Sequence, residues 1–184
     1  ASDNQLIIIS KSTSLGIPVS TVSYKYDGLG RRIEKAVDGK ITRYVYDGDN
    51  LLFEIGADNR VMTKYTSGLK IDDYIAFEKN GKTYFYHKSH QNSVTEISDM
   101  QGNIVQSYRY DSFGNIVYQN GSLANSITYT GREFDPESGL YYYRARYYDP
   151  VTGRFLQKDP VAGSIAFPQS LNPYVYVGNN PVNL

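Results

Sequence analysis

A repeat of about twenty residues restricts the folds open to this chain more than any other feature of its sequence. The clearest copies read YKYDGLGRR at 24–32, YVYDGDNLL at 44–52 and YRYDSFGNI at 108–116. In each copy two tyrosines fall on the same face of a strand, an aspartate ends that strand, and a turn follows. A single hairpin cannot bury its own faces, so successive copies are expected to join into one continuous sheet.

Turn dipeptides separate the strand-like runs and favour tight hairpins, because Asp-Gly and Asn-Gly pairs tolerate the positive φ of such turns. No stretch places apolar residues at helical spacing. We therefore predict an all-β fold, in which antiparallel hairpin repeats form a curved or spiralling sheet. The expected turns lie near 27–30, 38–40, 47–50, 80–81 and 101–103.

The repeats also assign roles to their residues. The tyrosine pairs are expected to pack along the sheet wall, and the aspartates are expected to cap turns by accepting backbone N–H bonds. The predicted structural residues of the repeats are Tyr24, Tyr26, Asp27, Tyr44, Tyr46, Asp47, Tyr84, Tyr86, Tyr108, Tyr110, Asp111 and Gly114.

Composition excludes several classes of function. Positive and negative residues number 19 each, so the chain lacks the basic excess of a typical nucleic-acid-binding protein. The longest apolar run, 6–9, is much shorter than a membrane-spanning helix. Without cysteine the chain has neither disulfides nor thiolate metal sites. Its first residue is alanine and no targeting signal follows, which favours a fragment, a processed chain or an expressed segment.

The C-terminal third carries the most specific motif. The sequence TGREFDPESGLYYYRARYYDPVTGRFLQKDP at 130–160 resembles the Rhs-repeat-associated core almost position for position. The later run NPYVYVGNNPVN at 172–183 continues that pattern, and the repeats upstream resemble the YD repeats of the same Rhs family. The resemblance implies three parts: an N-terminal strand segment at 1–19, YD/Rhs repeats at 20–128, and an associated core at 129–184.

The resemblance also implies a function. In the Rhs family such sheets spiral around a hollow cocoon, the core closes one end, and a toxin or effector that follows the core is held inside. The leading hypothesis is therefore a structural shell segment that encapsulates and helps deliver a C-terminal polypeptide. Its implied partners are that cargo, or other parts of a larger parent protein. The implied location is secreted or at the cell surface.

Two other functions stay open at this point. One is an extracellular adhesion or recognition module, or a self-assembling surface module, of the teneurin-like type. The other is an aspartyl self-processing domain. The apolar run at 6–9 makes a poor exposed edge, so we expect it to be covered by a larger parent or to pair with another copy through sheet edges.

The core motif supplies the remaining structural residues. We predict that 141–148 forms one strand, with Tyr142, Arg144, Arg146 and Tyr148 on one face and the other tyrosines opposite. The arginines are expected to brace the sheet by stacking on rings. The full set of core residues is Gly131, Arg132, Asp135, Gly139, Leu140, Tyr141, Tyr142, Arg144, Arg146, Tyr147, Tyr148, Asp149, Gly153, Arg154, Phe155, Asn179, Asn180 and Pro181.

Asp159 is the one candidate catalytic residue. In the Rhs family two aspartates cut the chain beyond the core, as two carboxylates that share a proton can act as acid and base. Asp159 matches the first of them, with Lys158 in place of the usual arginine. The second belongs to an Asp-Pro-x-Gly motif that is expected after Leu184. We therefore interpret Asp159 mainly as a turn residue, and we expect the chain not to be an enzyme.

Other catalytic interpretations are weaker. His87 and His90 are three residues apart, but no third metal ligand follows at a telling distance. Glu133, Asp135 and Glu137 cluster ahead of Gly139, where carboxylates are usually solvated, although a glycosidase pair has the same residue types. The sequence has no phosphate-binding or dinucleotide-binding motif. We predict no cofactor and no metal site.

Overall fold

The computed structural model describes residues 5–12, 14, 18–161, 163–165 and 168–181. Eleven strands form one antiparallel sheet in which every strand pairs with its neighbours in sequence. They are β1 (Ile8–Ser12), β2 (Pro18–Tyr26), β3 (Arg32–Val37), β4 (Lys40–Asp47), β5 (Asn50–Gly56), β6 (Val61–Ser67), β7 (Tyr74–Lys79), β8 (Lys82–Lys88), β9 (Val94–Asp99), β10 (Ile104–Tyr110) and β11 (Ile116–Asn120). The sheet stays open, since β1 and β11 are its two ends.

A second, four-stranded sheet follows, with strands β12 (Glu133–Asp135), β13 (Leu140–Tyr142), β14 (Tyr147–Asp149) and β15 (Arg154–Phe155). In the described part of the chain, helical structure is limited to three short 3-10 turns at Tyr129–Gly131, Pro168–Leu171 and Val177–Asn179. The all-β, antiparallel prediction is confirmed, and reversals occur at each of the five predicted turn positions.

Because consecutive strands are antiparallel, their connections alternate between the two ends of the sheet. We call these ends the near rim and the far rim. The near rim consists of the turns at 27–31, 48–49, 68–73, 89–93 and 111–115. The far rim consists of the turns at 38–39, 57–60, 80–81 and 100–103.

Three of these turns share one five-residue form. Asp27, Asp99 and Asp111 each accept backbone N–H bonds from the residues two and four positions later, at 2.9–3.0 Å. A glycine with positive φ stands three positions after each aspartate. Asp47 is different, because it pairs with Asn50 across a two-residue turn. The aspartate of the repeat therefore caps the longer turns and not the shorter one.

The inner face of the sheet carries the tyrosine pairs. Tyr24, Tyr44, Tyr86 and Tyr108 are buried there, and the second member of each pair is partly buried. Contacts between successive pairs run through intervening side chains. The Phe77 ring, for example, lies 5.0 Å from the ring of Tyr86. Tyrosines thus line the inner face of the wall, and other residues fill the space between its repeats.

The N-terminal apolar run is already part of this sheet. Ile8 pairs with Ser23 and Ile9 with Val22, so β1 is held by β2. Leu6 and Ile9 pack against a buried cluster on the inner face, whereas Ile8 is 58% exposed. The expectation that this run needs an outside partner is therefore corrected: its own sheet covers one edge and one face, since the hairpin with β2 can form locally.

The predicted strand at 141–148 is wrong. Residues 140–142 and 147–149 are separate strands, and the Tyr143 N–H closes the turn between them on Arg146 O at 2.8 Å. Arg144 takes a φ of 60° in this turn, a conformation that ordinarily marks glycine or asparagine. No turn dipeptide announces this reversal. Tyr141 lies opposite Tyr148 and Tyr142 lies opposite Tyr147, so each of these pairs shares a face of the small sheet. The prediction that Tyr142 and Tyr148 share a face is therefore wrong.

Candidate functional site: a plug on the near rim

After β11 the chain leaves the large sheet and crosses its inner face from the far rim towards the near rim. Along this path the Lys79 ammonium donates to Ala124 O at 2.8 Å, and the Tyr86 hydroxyl donates to Asn125 Oδ1 at 2.8 Å. The Ser126 hydroxyl donates to Glu54 Oε1 at 2.7 Å. The crossing segment fills the inner face and delivers the following residues, 129–181, to the near rim. We call these following residues the C-terminal plug.

Three tyrosines of the C-terminal plug bind one turn of the near rim. The hydroxyls of Tyr129, Tyr148 and Tyr141 donate to the successive carbonyl oxygens of residues 112, 113 and 114, at 2.8, 2.8 and 2.7 Å. Gly114 has a φ of 89°, and a Cβ at this position would lie 2.5 Å from the Tyr129 ring. The repeat's glycine therefore serves both the turn and the close approach of the plug.

Asp72 forms the second attachment. Its carboxylate accepts bonds from Arg144 Nη2 at 2.6 Å and Arg132 Nη1 at 3.0 Å. Its backbone is also fixed, because its N–H donates to Asn50 Oδ1 at 2.8 Å and its carbonyl accepts from Asn92 Nδ2 at 2.7 Å. These bonds hold Asp72 at a φ of 63°. Asp72 thereby joins two plug arginines to its own turn, to the turn at 89–93 and to the start of β5.

The third attachment is a buried charge cluster. The Arg32 side chain is 1% exposed, and its guanidinium donates to Glu133 Oε2 and Asp135 Oδ2, both at 2.5 Å. The Lys35 ammonium donates to Asp135 Oδ1 at 2.8 Å and forms an ion pair with Glu137, whose Oε1 lies 2.5 Å away. The cluster joins β3 of the large sheet to β12 and the turn that follows it.

Aromatic rings surround this cluster. The Arg32 guanidinium lies 4.7 Å from the ring centre of Tyr44 and 4.6 Å from that of Tyr142. Burial raises the pKa of Glu133 above its ordinary value, although Arg32 acts against this shift. Burial would also raise the pKa of Asp135, but Arg32 and Lys35 together lower it. The carboxylates thus respond in opposite directions, and Asp135 is the one held firmly in its charged form.

Asp159 is part of an ion pair. Its carboxylate lies 2.8 Å from Arg146 Nη2 and accepts the Val161 N–H at 2.9 Å, and its own N–H donates to Pro173 O at 2.9 Å. The Arg146 guanidinium also stacks on Phe155, 3.6 Å from the ring centre. These contacts fix the residues after β15 against the small sheet, an arrangement that fits a turn anchor.

Other residues of the predicted core set build the turns of the plug. Gly139 and Gly153 have positive φ, and Asp149 Oδ1 accepts the Val151 N–H at 2.9 Å. A Cβ on Gly153 would lie 3.0 Å from the Phe113 ring on the near rim. Leu140 is buried, and Arg154 forms a backbone β-bridge with Val175. Asn179 has a φ of 61°, and the Asn180 N–H donates to Val177 O. Pro181 O accepts a bond from Gln91 Nε2.

The histidine pair is not drawn into this site. His87 Nε2 lies 2.9 Å from Ser98 Oγ on the large sheet, while His90 is exposed in a near-rim turn. Among the described residues, no three side chains of the metal-ligating types gather in one place. No helix within the described ranges is long and apolar enough to cross a membrane.

The sequence motifs do not identify several residues at the centre of the site. They give no role to Arg32, Lys35, Asp72 or Glu54, and they predict Glu133 and Glu137 in a loop, where carboxylates are usually solvated. Only Arg32 had a local signal, since it opens a strand directly after a repeat turn. The ion pairs between β3 and β12 join residues about a hundred positions apart, which no local pattern reports.

Comparison with known proteins identifies the architecture. The family model described as "Teneurin YD-shell" matches residues 13–182. The chain belongs to the teneurin YD-shell family. The match confirms the Rhs/YD-repeat assignment. Among solved structures, the crystal structure of TcdB2-TccC3 is similar in fold, with 24% sequence identity and a TM-score of 0.74. That superposition covers 100% of this chain and 10% of the other, and it supports the shared fold.

Curated relatives of this YD-shell chain are much longer proteins. "tRNA nuclease WapA" of Bacillus subtilis (strain 168) is 42% identical over 187 residues, which cover 99% of this chain and 8% of that protein. "Toxin protein Tse5" of Pseudomonas aeruginosa is 28% identical and covers 86% and 14%. "Salivary gland surface protein 1" of Aedes aegypti is 34% identical and covers 89% and 5%. The YD-shell chain therefore spans a small share of each relative.

Proposed function

We propose that this chain is the closing end of a YD shell that encloses and helps deliver a polypeptide cargo. The observation that carries the proposal is the attachment of the C-terminal plug to all five turns of the near rim. Tyr142 reaches the turn at 27–31, Arg144 those at 48–49 and 68–73, Thr130 the one at 89–93, and three tyrosines the one at 111–115. A module bonded along a whole rim closes that end.

The names and lengths of the relatives support a cargo-enclosing role. Tse5 is named a toxin, WapA is named a nuclease, and this chain spans 14% and 8% of them. We propose that such activities reside outside the segment that matches this chain, and that the chain itself is a non-catalytic wall. Its partners would then be a C-terminal cargo and the rest of a larger parent, with copies able to associate through sheet edges. The protein would be secreted or located at the cell surface.

We keep the three-part division at 1–19, 20–128 and 129–184 as part of this proposal, with the plug as the closing element. An adhesion or recognition role is the second candidate. It is favoured by the surface protein of Aedes aegypti among the relatives and by the teneurin-type family model. For self-processing, the ion pair between Arg146 and Asp159 favours a structural role for the aspartate.

Protease protection tests the shell proposal. In a longer parent protein that contains this chain, the rest of its shell and the segment that follows this chain, that segment should resist trypsin until the shell is opened. Asp72→Asn combined with Arg144→Met removes the Arg144 bonds to the near-rim turns at 48–49 and 68–73 and the negative charge that pairs with Arg132, so cleavage of the segment should accelerate at least tenfold. Arg154→Met, an exposed arginine of the plug, is the matched control. Equal cleavage rates in all three proteins would contradict the closing role.

A further inference from the structure

The last strand of the large sheet has an outer edge that the fold itself leaves open. β11 pairs with β10 on one side, and in the described part of the chain no strand pairs with its other side. The following residues cannot extend the sheet, because Gly121 turns the chain onto the inner face. A Cβ there would lie 2.3 Å from Val105 O. An unpaired row of backbone N–H and C=O groups readily recruits another strand.

A groove of about 410 Å³ runs along this edge, and we call it the β11 groove. Residues 115–119 form one wall, and Phe134, Gly139, Pro150 and Val151 form the other. None of these lining residues is charged. Val117, Tyr118 and Val151 are 64%, 46% and 80% exposed, so the edge and the groove together form an uncharged, partly apolar surface.

We propose that this edge pairs with the same edge of a second copy of the chain, so that two β11 strands meet antiparallel across a two-fold axis. Direction favours this pairing. In a sheet of eleven antiparallel strands, β1 and β11 run the same way, so a head-to-tail contact would make a parallel pair. Pairing of like edges across a two-fold axis is antiparallel, as is every other pair in the sheet.

Charge decides which like edge pairs. In a two-fold contact each residue meets its own neighbourhood, so a charged edge brings like charges together. All five residues of β11, 116–120, are uncharged, whereas β1 carries Lys11. Lysine on an edge strand is a common barrier to strand addition. In the β11 contact, the β11 groove of each copy receives apolar side chains from the other copy's β11. A contact between two β1 edges would instead bring two copies of Lys11 close together.

Single cysteines test the contact directly, because the native chain has none. Directly opposite residues of an antiparallel pair have Cα atoms about 4.5–5.5 Å apart, within the reach of a disulfide. Under mild oxidation, Val117→Cys, Tyr118→Cys and Gln119→Cys should form covalent dimers, with one variant nearest the axis giving the most. The yield of covalent dimer from that variant should be at least tenfold higher than the yield from Val61→Cys. Val61 is the control because it is 55% exposed but lies on the interior strand β6.

Light scattering during size-exclusion chromatography gives the second readout. The native chain should show twice the mass of one chain. Val117→Lys should lower the fraction of dimer at least fivefold, and Val61→Lys should leave the dimer fraction unchanged. Equal cross-linking at all four cysteine positions, or a single-chain mass at every concentration, would overturn the proposal. So would a dimer that survives Val117→Lys but disappears with Ile8→Lys, because that result would assign the contact to β1.

Discussion

Replacing Arg32 by methionine gives the most direct test of how the plug is held. The substitution keeps an extended apolar side chain but leaves Glu133 and Asp135 without the cation that bonds both of them. Removing one partner of a buried ion pair typically costs about 3–5 kcal/mol, since an uncompensated charge stays buried. The two bonds and the ring contacts of a side chain that is 1% exposed place Arg32 in this class.

The preceding residue is a matched control. Arg31 pairs with Asp27 near the surface, and its side chain is 30% exposed. An ion pair of that kind contributes about 0–1 kcal/mol, so Arg31→Met should change stability little. Urea unfolding followed by circular dichroism measures both variants. At about 2–4 °C per kcal/mol for a chain of this size, Arg32→Met should also lower the melting temperature by roughly 6–20 °C.

A rescue experiment separates lost packing from a stranded charge. In Arg32→Met, Asp135 keeps its ion pair with Lys35, whereas Glu133 loses its cation. Adding Glu133→Gln removes that stranded carboxylate, so part of the lost stability should return. The proposed role of the cluster is refuted if Arg32→Met and Arg31→Met differ by less than about 1 kcal/mol, the level of an exposed pair.

Three further outcomes are expected. Gly114→Ala should destabilise the fold by about 2 kcal/mol or more, because it adds a clash with Tyr129 to the strain of positive φ. Gly102→Ala, in the same kind of turn with open space around it, should cost about 1 kcal/mol. The pKa of Glu133 is raised in the folded state, so folding favours its neutral form. The free energy of unfolding of the native chain, measured relative to Glu133→Gln, should therefore fall as pH rises above 4.5. Time-course mass spectrometry should find no self-cleavage, and Asp159→Asn should leave that result unchanged; specific scission that this variant abolishes would restore an enzymatic interpretation.

Local sequence was sufficient to predict the large sheet. The paired tyrosines, the aspartates and the glycine-bearing turns predicted the strands and their order, because a hairpin depends on side-chain alternation and on turns that residues a few positions apart specify. The 141–148 segment shows where this reasoning stops. Its reversal at Arg144 has no turn dipeptide, and that conformation is held by bonds to Asp72 and Asp49 on another part of the chain.

The site itself depended on tertiary structure. The YD motif and the associated core were readable as sequence, and they predicted both the wall and a closing element at its C-terminal end. Which rim the plug binds, and that Arg32, Lys35 and Asp72 hold it, required contacts between residues about sixty to a hundred positions apart. Periodicity along a chain specifies which face a side chain occupies. It contains no information on which distant charge will meet that side chain once water is excluded, and this pairing decides whether a buried ion stabilises the fold.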